Sequence, residues 1–145
     1  WRHNYNEQDV SNVQSGAINE GRVYDLENQV PENSSVLTFD YTREGFGGLI
    51  RVNYYDEWSS TDGLFGPPDA STAYTYDDAV LVDIEASYTF ADRYTVAVGG
   101  ENIFDEYPED ENGFVASEIF GVEYALTSPF GFNGAFWYAR LSASF

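Results

Sequence analysis

Apolar and polar residues alternate with period two along most of this chain, most clearly over residues 80–103. Val80, Val82, Ile84, Ala86, Tyr88 and Phe90 fall on one side of an extended arm, and Leu81, Asp83, Glu85, Ser87 and Thr89 on the other. That period belongs to a strand with one apolar and one largely polar face. After a turn at 91–93 the pattern resumes, with Tyr94, Val96 and Val98 against Thr95, Ala97, Gly99 and Glu101. The two arms predict an antiparallel hairpin with a tight connection. Each arm has about the 9 to 11 residues that a tilted strand needs to cross a bilayer, and each carries an aromatic residue beside the turn, as an interfacial girdle requires.

Three further strands follow from the same pattern. Leu37, Phe39 and Tyr41 alternate with Val36, Thr38, Asp40 and Thr42; Ile50, Val52, Tyr54 and Trp58 alternate with Arg51, Asn53, Tyr55 and Glu57. In the closing segment 134–145, Ala135, Trp137, Ala139, Leu141, Ala143 and Phe145 share one face, against Phe136, Tyr138, Arg140, Ser142 and Ser144. Residues 1–10 read as the end of another strand, and residues 20–30 as one or two helical turns stopped by Pro31. Residues 44–48 read as a glycine-rich turn.

Connections therefore alternate between long (11–34, 59–78, 104–133) and short (44–48, 91–93). Outer-membrane barrels have this layout, with short periplasmic turns and long extracellular loops. Counted back from a periplasmic C-terminus, the three long connections face the cell exterior. Six strands at most cannot close a barrel, and an open sheet edge is not tolerated in lipid. The expectation is an all-β fold, a transmembrane antiparallel barrel segment whose missing strands come from a longer polypeptide or another chain.

Composition narrows the function. Lys and Arg number 6 against 25 Asp and Glu, a formal charge of −19, which argues against nucleic acid because no basic surface replaces the counterions around phosphate. A mean hydropathy of −0.40 with this charge would suit disorder, but 18% aromatic content and regular alternation point to a folded β protein. The absence of Cys removes disulfide scaffolds and thiolate chemistry. No run approaches the ~18 apolar residues of a membrane helix. Without an initiator Met or signal peptide, the chain reads as a mature or clipped fragment of one domain, 1–145. Acidic residues sit in the loops and on the polar face; 104–133 carries Asp105, Glu106, Glu109, Asp110, Glu111, Glu118 and Glu123 and no Lys or Arg.

The segments NIFDEYP (102–108) and SPFGFNGAFWYARLSASF (128–145) resemble the C-terminal end of TonB-dependent outer-membrane receptors. The likeness extends back through LVDIEASYTFADRYTVAVGG and, more loosely, RVNYYDEW, and Ala135 stands where the family places Arg. The resemblance implies five to six C-terminal strands of a barrel of about 22, filled by a plug domain that lies upstream together with the TonB box. It implies active uptake of a scarce nutrient of the iron-chelate, cobalamin or saccharide class, with no covalent chemistry, at the outer membrane of a Gram-negative cell. Implied partners are the lipid bilayer and lipopolysaccharide, the TonB complex, the barrel assembly machinery, and the remaining strands and plug. The alternatives are a porin, a barrel enzyme or a separate barrel subunit.

Phe145, with Ala143, Leu141 and Trp137, resembles the C-terminal aromatic signal read by that assembly machinery, for which strand addition supplies a mechanism. Trp58, Phe65, Tyr74, Tyr76, Tyr107, Phe114 and Phe120, at loop tips, either stack on a ligand such as a sugar, or pack the loops together or form the outer aromatic girdle. Asp83 and Glu85 are neighbours on one face, but glycosidase chemistry needs two separated environments, so a solvated lumen or plug-facing surface is the favoured reading. His3 has no partner set for a metal site or a catalytic triad. The run 109–113 fails the EF-hand pattern, leaving solvated acidity, with an irregular Ca²⁺ site or divalent bridging of lipopolysaccharide as the other reading.

Overall fold

The computed structural model describes residues 1–10, 18–61, 71, 73–111 and 115–144. The chain is mostly antiparallel β-sheet. Its strands are β1 (Arg2–Tyr5), β2 (Asn33–Arg43), β3 (Phe46–Tyr55), β4 (Trp58–Ser60), β5 (Tyr74–Tyr76), β6 (Ala79–Phe90), β7 (Tyr94–Glu101) and β8 (Phe136–Ala143). Helix α1 (Glu20–Asn28) lies between β1 and β2, and a π-helical turn (Val115–Ile119) between β7 and β8. Six strands form one sheet in the order β1-β2-β3-β6-β7-β8, while β4 and β5 pair separately. The large sheet does not close on itself: β1 and β8 each have a single strand neighbour among the described residues.

Register keeps every apolar set on one side. Phe39 faces Ile50, Ile50 faces Ile84, Ile84 faces Gly100, and Gly100 faces Trp137. A slip of one residue would bring Thr38, Arg51, Asp83 and Glu101 to that side, so the alternation itself fixes the pairing. The β6–β7 hairpin turns at 91–93 as its pattern predicts, through Ala91 and Asp92, both with positive φ.

The β2–β3 turn is tighter than its glycines suggest. Only Glu44 and Gly45 form it, with φ of 51° and 86°, the left-handed pair of a two-residue hairpin. Gly47 and Gly48 belong to β3, which corrects their assignment to the turn. Gly47 is opposite Ser87, whose Oγ occupies the space a Cβ would take. β2 begins at Asn33 rather than 36, because backbone pairing with β1 and β3 holds the polar residues Ser34 and Ser35 as well.

α1 forms where expected. Asn19 caps it by accepting from the Arg22 amide at 2.7 Å, Glu20 favours the positive end of the dipole, and Pro31 follows its last turn. Trp58 departs from the expected pattern. The β3 strand ends at Tyr55, the chain turns at Asp56 and Glu57, and Trp58 opens the small β4–β5 sheet. It therefore leaves the large sheet's apolar face for a core of its own with Tyr76, Ala125 and Phe130. Half of the expected long connection 59–78, residues 62–70 and 72, lies outside the described residues. Among the described residues no helix is long and apolar enough to cross a membrane, which says nothing of strands.

Candidate functional site

The first feature is an uncharged face. From Leu37 to Tyr41 on β2, through β3, β6 and β7, to Ala143 on β8, the inward-outward alternation leaves no charged side chain on this side. Phe39, Phe46, Ile50, Val98 and Leu141 are all exposed on it, Leu141 at 72%. Contiguous apolar surface on this scale marks a contact with membrane or protein. The aromatic residues gather at the short-turn end, where Phe46 packs on Tyr88 at 4.6 Å between centroids and Phe90 on Tyr94 at 5.5 Å. From Phe46 to Tyr54 on β3 the face runs about 26 Å along the strand, or about 20 Å of height at barrel tilt, near the ~25 Å apolar band of an outer-membrane barrel. A groove of about 880 Å³ crosses it where Gly48, Ala86 and Ala139 keep the surface low.

The opposite face is charged, and its charges are organised. Asp83 accepts from the Asn53 side chain at 3.2 Å and the Asn102 amide at 2.9 Å, and pairs with Arg51 at 3.7 Å. Glu85 accepts from Tyr138 Oη at 2.8 Å and from Arg140 at 2.9 and 3.1 Å. The two carboxylates therefore share a face but not a site, each saturated by separate donors, which is the arrangement of a structured polar wall rather than of an acid and base aimed at one bond.

NIFDEYP is the joint between β7 and β8. Asn102 and Asp105 both adopt positive φ, 49° and 61°. The buried Asn102 side chain accepts from the Glu106 amide at 3.0 Å and donates to the carbonyls of Glu106 and Asn133 at 2.7 and 3.2 Å. Asp105 accepts from the Ala135 amide at 2.7 Å, just before β8 begins. The space of a Cβ on Gly134 is filled by the side-chain tips of Asp105 and Tyr107, so a larger residue there would displace both. These residues hold the last strand in register.

At the other end of the strands the long connections interlock. Asp25 of α1 is 2% exposed and accepts from the amide and hydroxyl of Thr61 at 2.7 and 3.0 Å, with Arg22 at 3.6 Å. Trp58 stacks on Tyr76, meets Phe130 edge-on and donates to Thr127 at 3.2 Å. Tyr76 donates to Glu111 at 3.2 Å, and Glu109 accepts from the Asp77 amide at 3.4 Å. The negative charge of Glu109 raises the Tyr74 phenol above its usual 10.0, and burial does the same for Tyr124.

Of the seven loop aromatics, Trp58 and Tyr76 are each 2% exposed and meet other rings, so they hold the loops together and present no face to a ligand. Tyr74 leans edge-on against Tyr76 and Tyr107 stacks on Tyr124, both with one side open. Phe120 is exposed at 61%; Phe65 and Phe114 lie outside the described residues. Trp137, Leu141 and Ala143 line the uncharged face of β8, an edge strand, and Phe145 lies outside the described residues. His3 hydrogen-bonds Ser35 at 2.8 Å and stacks on Trp1. Among the described residues no three His, Cys, Asp or Glu side chains gather as a metal site.

A cavity of about 820 Å³ opens on the charged face beneath the loops, with Arg51, Asp83 and Glu101 in its wall and Tyr55, Phe130 and Phe136 among its rings. Asp25, Asn102 and Tyr138 carry this architecture although alternation alone gives them no special weight.

Comparison with protein-family models, with curated proteins and with solved structures returns no match.

Proposed function

We propose that residues 1–145 form part of the wall of an outer-membrane β-barrel of the TonB-dependent receptor type, which imports a scarce nutrient. The uncharged face meets lipid, the charged face lines the lumen, and the interlocked long connections form the extracellular mouth. One observation carries the reading: five adjacent strands present an exposed, aromatic-rimmed face whose one strand charge is Arg43, beside Phe46 at the short-turn edge and paired with Glu44, while the other strand charges in register lie on the opposite side. A soluble sheet would have to cover that face, whereas a bilayer is its natural solvent. The likeness of NIFDEYP and the closing strand to the family supports the narrower assignment. Import in this class is binding followed by plug rearrangement under TonB, so the chain contributes geometry and no covalent step.

The test is the fate of the native polypeptide. The expected result is a species several times larger than 16.3 kDa, in the outer-membrane fraction, released by detergent but not by high salt, and shifting in mobility on boiling. Loss of TonB should abolish uptake of its nutrient. A species soluble without detergent overturns the barrel reading, and uptake independent of TonB overturns the receptor assignment while leaving the barrel.

A further inference from the structure

The cavity on the charged face combines two kinds of wall. Tyr55 and Phe130 pack at 5.6 Å on one side, and Tyr107, Phe132 and Phe136 add partly exposed rings around it. Of the charged groups in the wall, Arg51 and Asp83 neutralise each other. Glu101 differs: its carboxylate has no ion-pair partner among the described residues, is exposed, and is the direct cross-strand neighbour of Phe136 on the same face. Residues paired in this way hold their Cβ atoms about 5 Å apart. A ring face beside an uncompensated carboxylate attracts a positive charge twice over, through the ring quadrupole and through the anion.

The surrounding field has the same sign. Of the 25 acidic residues, 19 lie in the segments 6–32, 56–78 and 104–133 that join strands of the large sheet, which hold only one of the six arginines, Arg22, and that one is paired with Asp25. A mouth of this charge concentrates cations and repels anions at the cavity beneath it.

We propose that this cavity binds an organic cation, a quaternary ammonium or a similarly weakly hydrated charged amine, with Glu101 as the counter-charge and Phe136 and Phe132 as the ring faces. The inference deepens the importer reading, on which its role as a nutrient site rests; the binding itself depends only on the sheet and the loops above it.

The probe is choline, set against its uncharged carbon isostere 3,3-dimethyl-1-butanol, titrated by calorimetry into the full-length polypeptide in detergent. Saturable choline binding is expected, at least about tenfold tighter than the isostere and weakened by salt. Glu101→Gln should weaken choline about tenfold and leave the isostere unchanged. Phe136→Leu should weaken choline similarly, and Phe132→Leu serves if that variant does not fold. Equal binding of choline and isostere, choline binding untouched by Glu101→Gln, absence of choline binding, or preference for glucose or an anionic iron chelate each overturns the proposal. Choline binding by a protein that is not in the outer membrane would sink the importer reading and keep the site. An outer-membrane receptor blind to choline would do the reverse.

Discussion

Tyr138 reaches across Gly99 to hydrogen-bond Glu85 two strands away, at 2.8 Å. Glu85 pairs with Gly99 and Gly99 with Tyr138, so the three lie in one row across β6, β7 and β8. The glycine is what lets the phenol lie flat: a Cβ there would stand 2.5 Å from Tyr138 Oη and 2.8 Å from the Ile84 carbonyl. Gly100, one residue on, stands in the same relation to Trp137 on the uncharged face. The last strand is thereby pinned on both sides by an aromatic residue folded over a glycine.

Gly99→Ala should displace Tyr138 and strain the β6 backbone, at about 1–3 kcal/mol. Tyr138→Phe, which removes one hydrogen bond to a charged group at a half-exposed position, should cost about 1 kcal/mol. Thermal unfolding of the full-length polypeptide checks both, and an equal or larger loss for Tyr138→Phe would show that the hydrogen bond, not the close approach, dominates.

Asn102 should be the most sensitive residue of its segment. Asn102→Ala leaves the Glu106 amide and two carbonyls without this side-chain partner and puts Ala, in place of the more tolerant Asn, at positive φ, at about 2–4 kcal/mol in all. Asp105→Ala frees one amide at an exposed position and should cost about half as much or less. Thermal unfolding of the two variants measures the order, which reverses if strand register depends on Asp105 alone.

Asp56 gives the outer end of the sheet a pH dependence. The Asn33 side chain donates to it at 2.8 Å, with Tyr54 adding a second bond, and together they hold the carboxyl below its usual 3.8 despite burial acting the other way. A depressed value means that the contribution is present above the unfolded-state pKa and fades as pH falls through the folded one. Unfolding temperatures of the native protein and of Asn33→Ala should therefore differ at pH 6, and the gap should narrow as the pH falls below 3.8. A gap that persists undiminished at pH 3 would assign the effect to packing.

Asp25 should govern the loops and not the sheet. Asp25→Ala removes the carboxylate that accepts from the buried Thr61 amide and hydroxyl, a loss of about 1–3 kcal/mol centred on the α1–β4 contact. Limited proteolysis should then cut within residues 18–32 or 56–61 while the large sheet stays protected. Simultaneous loss of both would mean that cap and sheet unfold as one unit.

How much of this was legible depended on the length scale of each interaction. Strand faces of β2, β3, β6, β7 and β8 follow from alternation because a side-chain period of two is local, and register follows once one face must stay uncharged. The turn at 44–45 was tighter than its sequence suggested because Gly47 and Gly48 are already paired with β6, Gly47 against Ser87, some 40 residues away in the chain. Trp58 continued the β3 pattern by parity, and only the ring cluster with Tyr76 and Phe130 draws it elsewhere. Glu101 next to Phe136, like Asp25 under Thr61, is a product of strand and loop packing that no periodicity encodes.

The uncharged face yields the sharpest contrast between a membrane wall and a soluble sheet. Val98 sits well inside that face, between Ala86 and Ala139, and Ser142 lies on the charged face opposite Thr95. If lipid covers the first, Val98→Arg forces a guanidinium into hydrocarbon, at about 2 kcal/mol or more toward the midplane, while Ser142→Arg meets a polar lumen at little expense. Val98→Arg should then lower the amount of assembled, heat-modifiable polypeptide in the outer membrane severalfold, with Ser142→Arg near the native amount. A soluble protein predicts the opposite for the first variant, because an added charge on an exposed apolar patch raises solubility and leaves folding intact. The two variants therefore separate lipid from water as the neighbour of this face without knowledge of the transported nutrient.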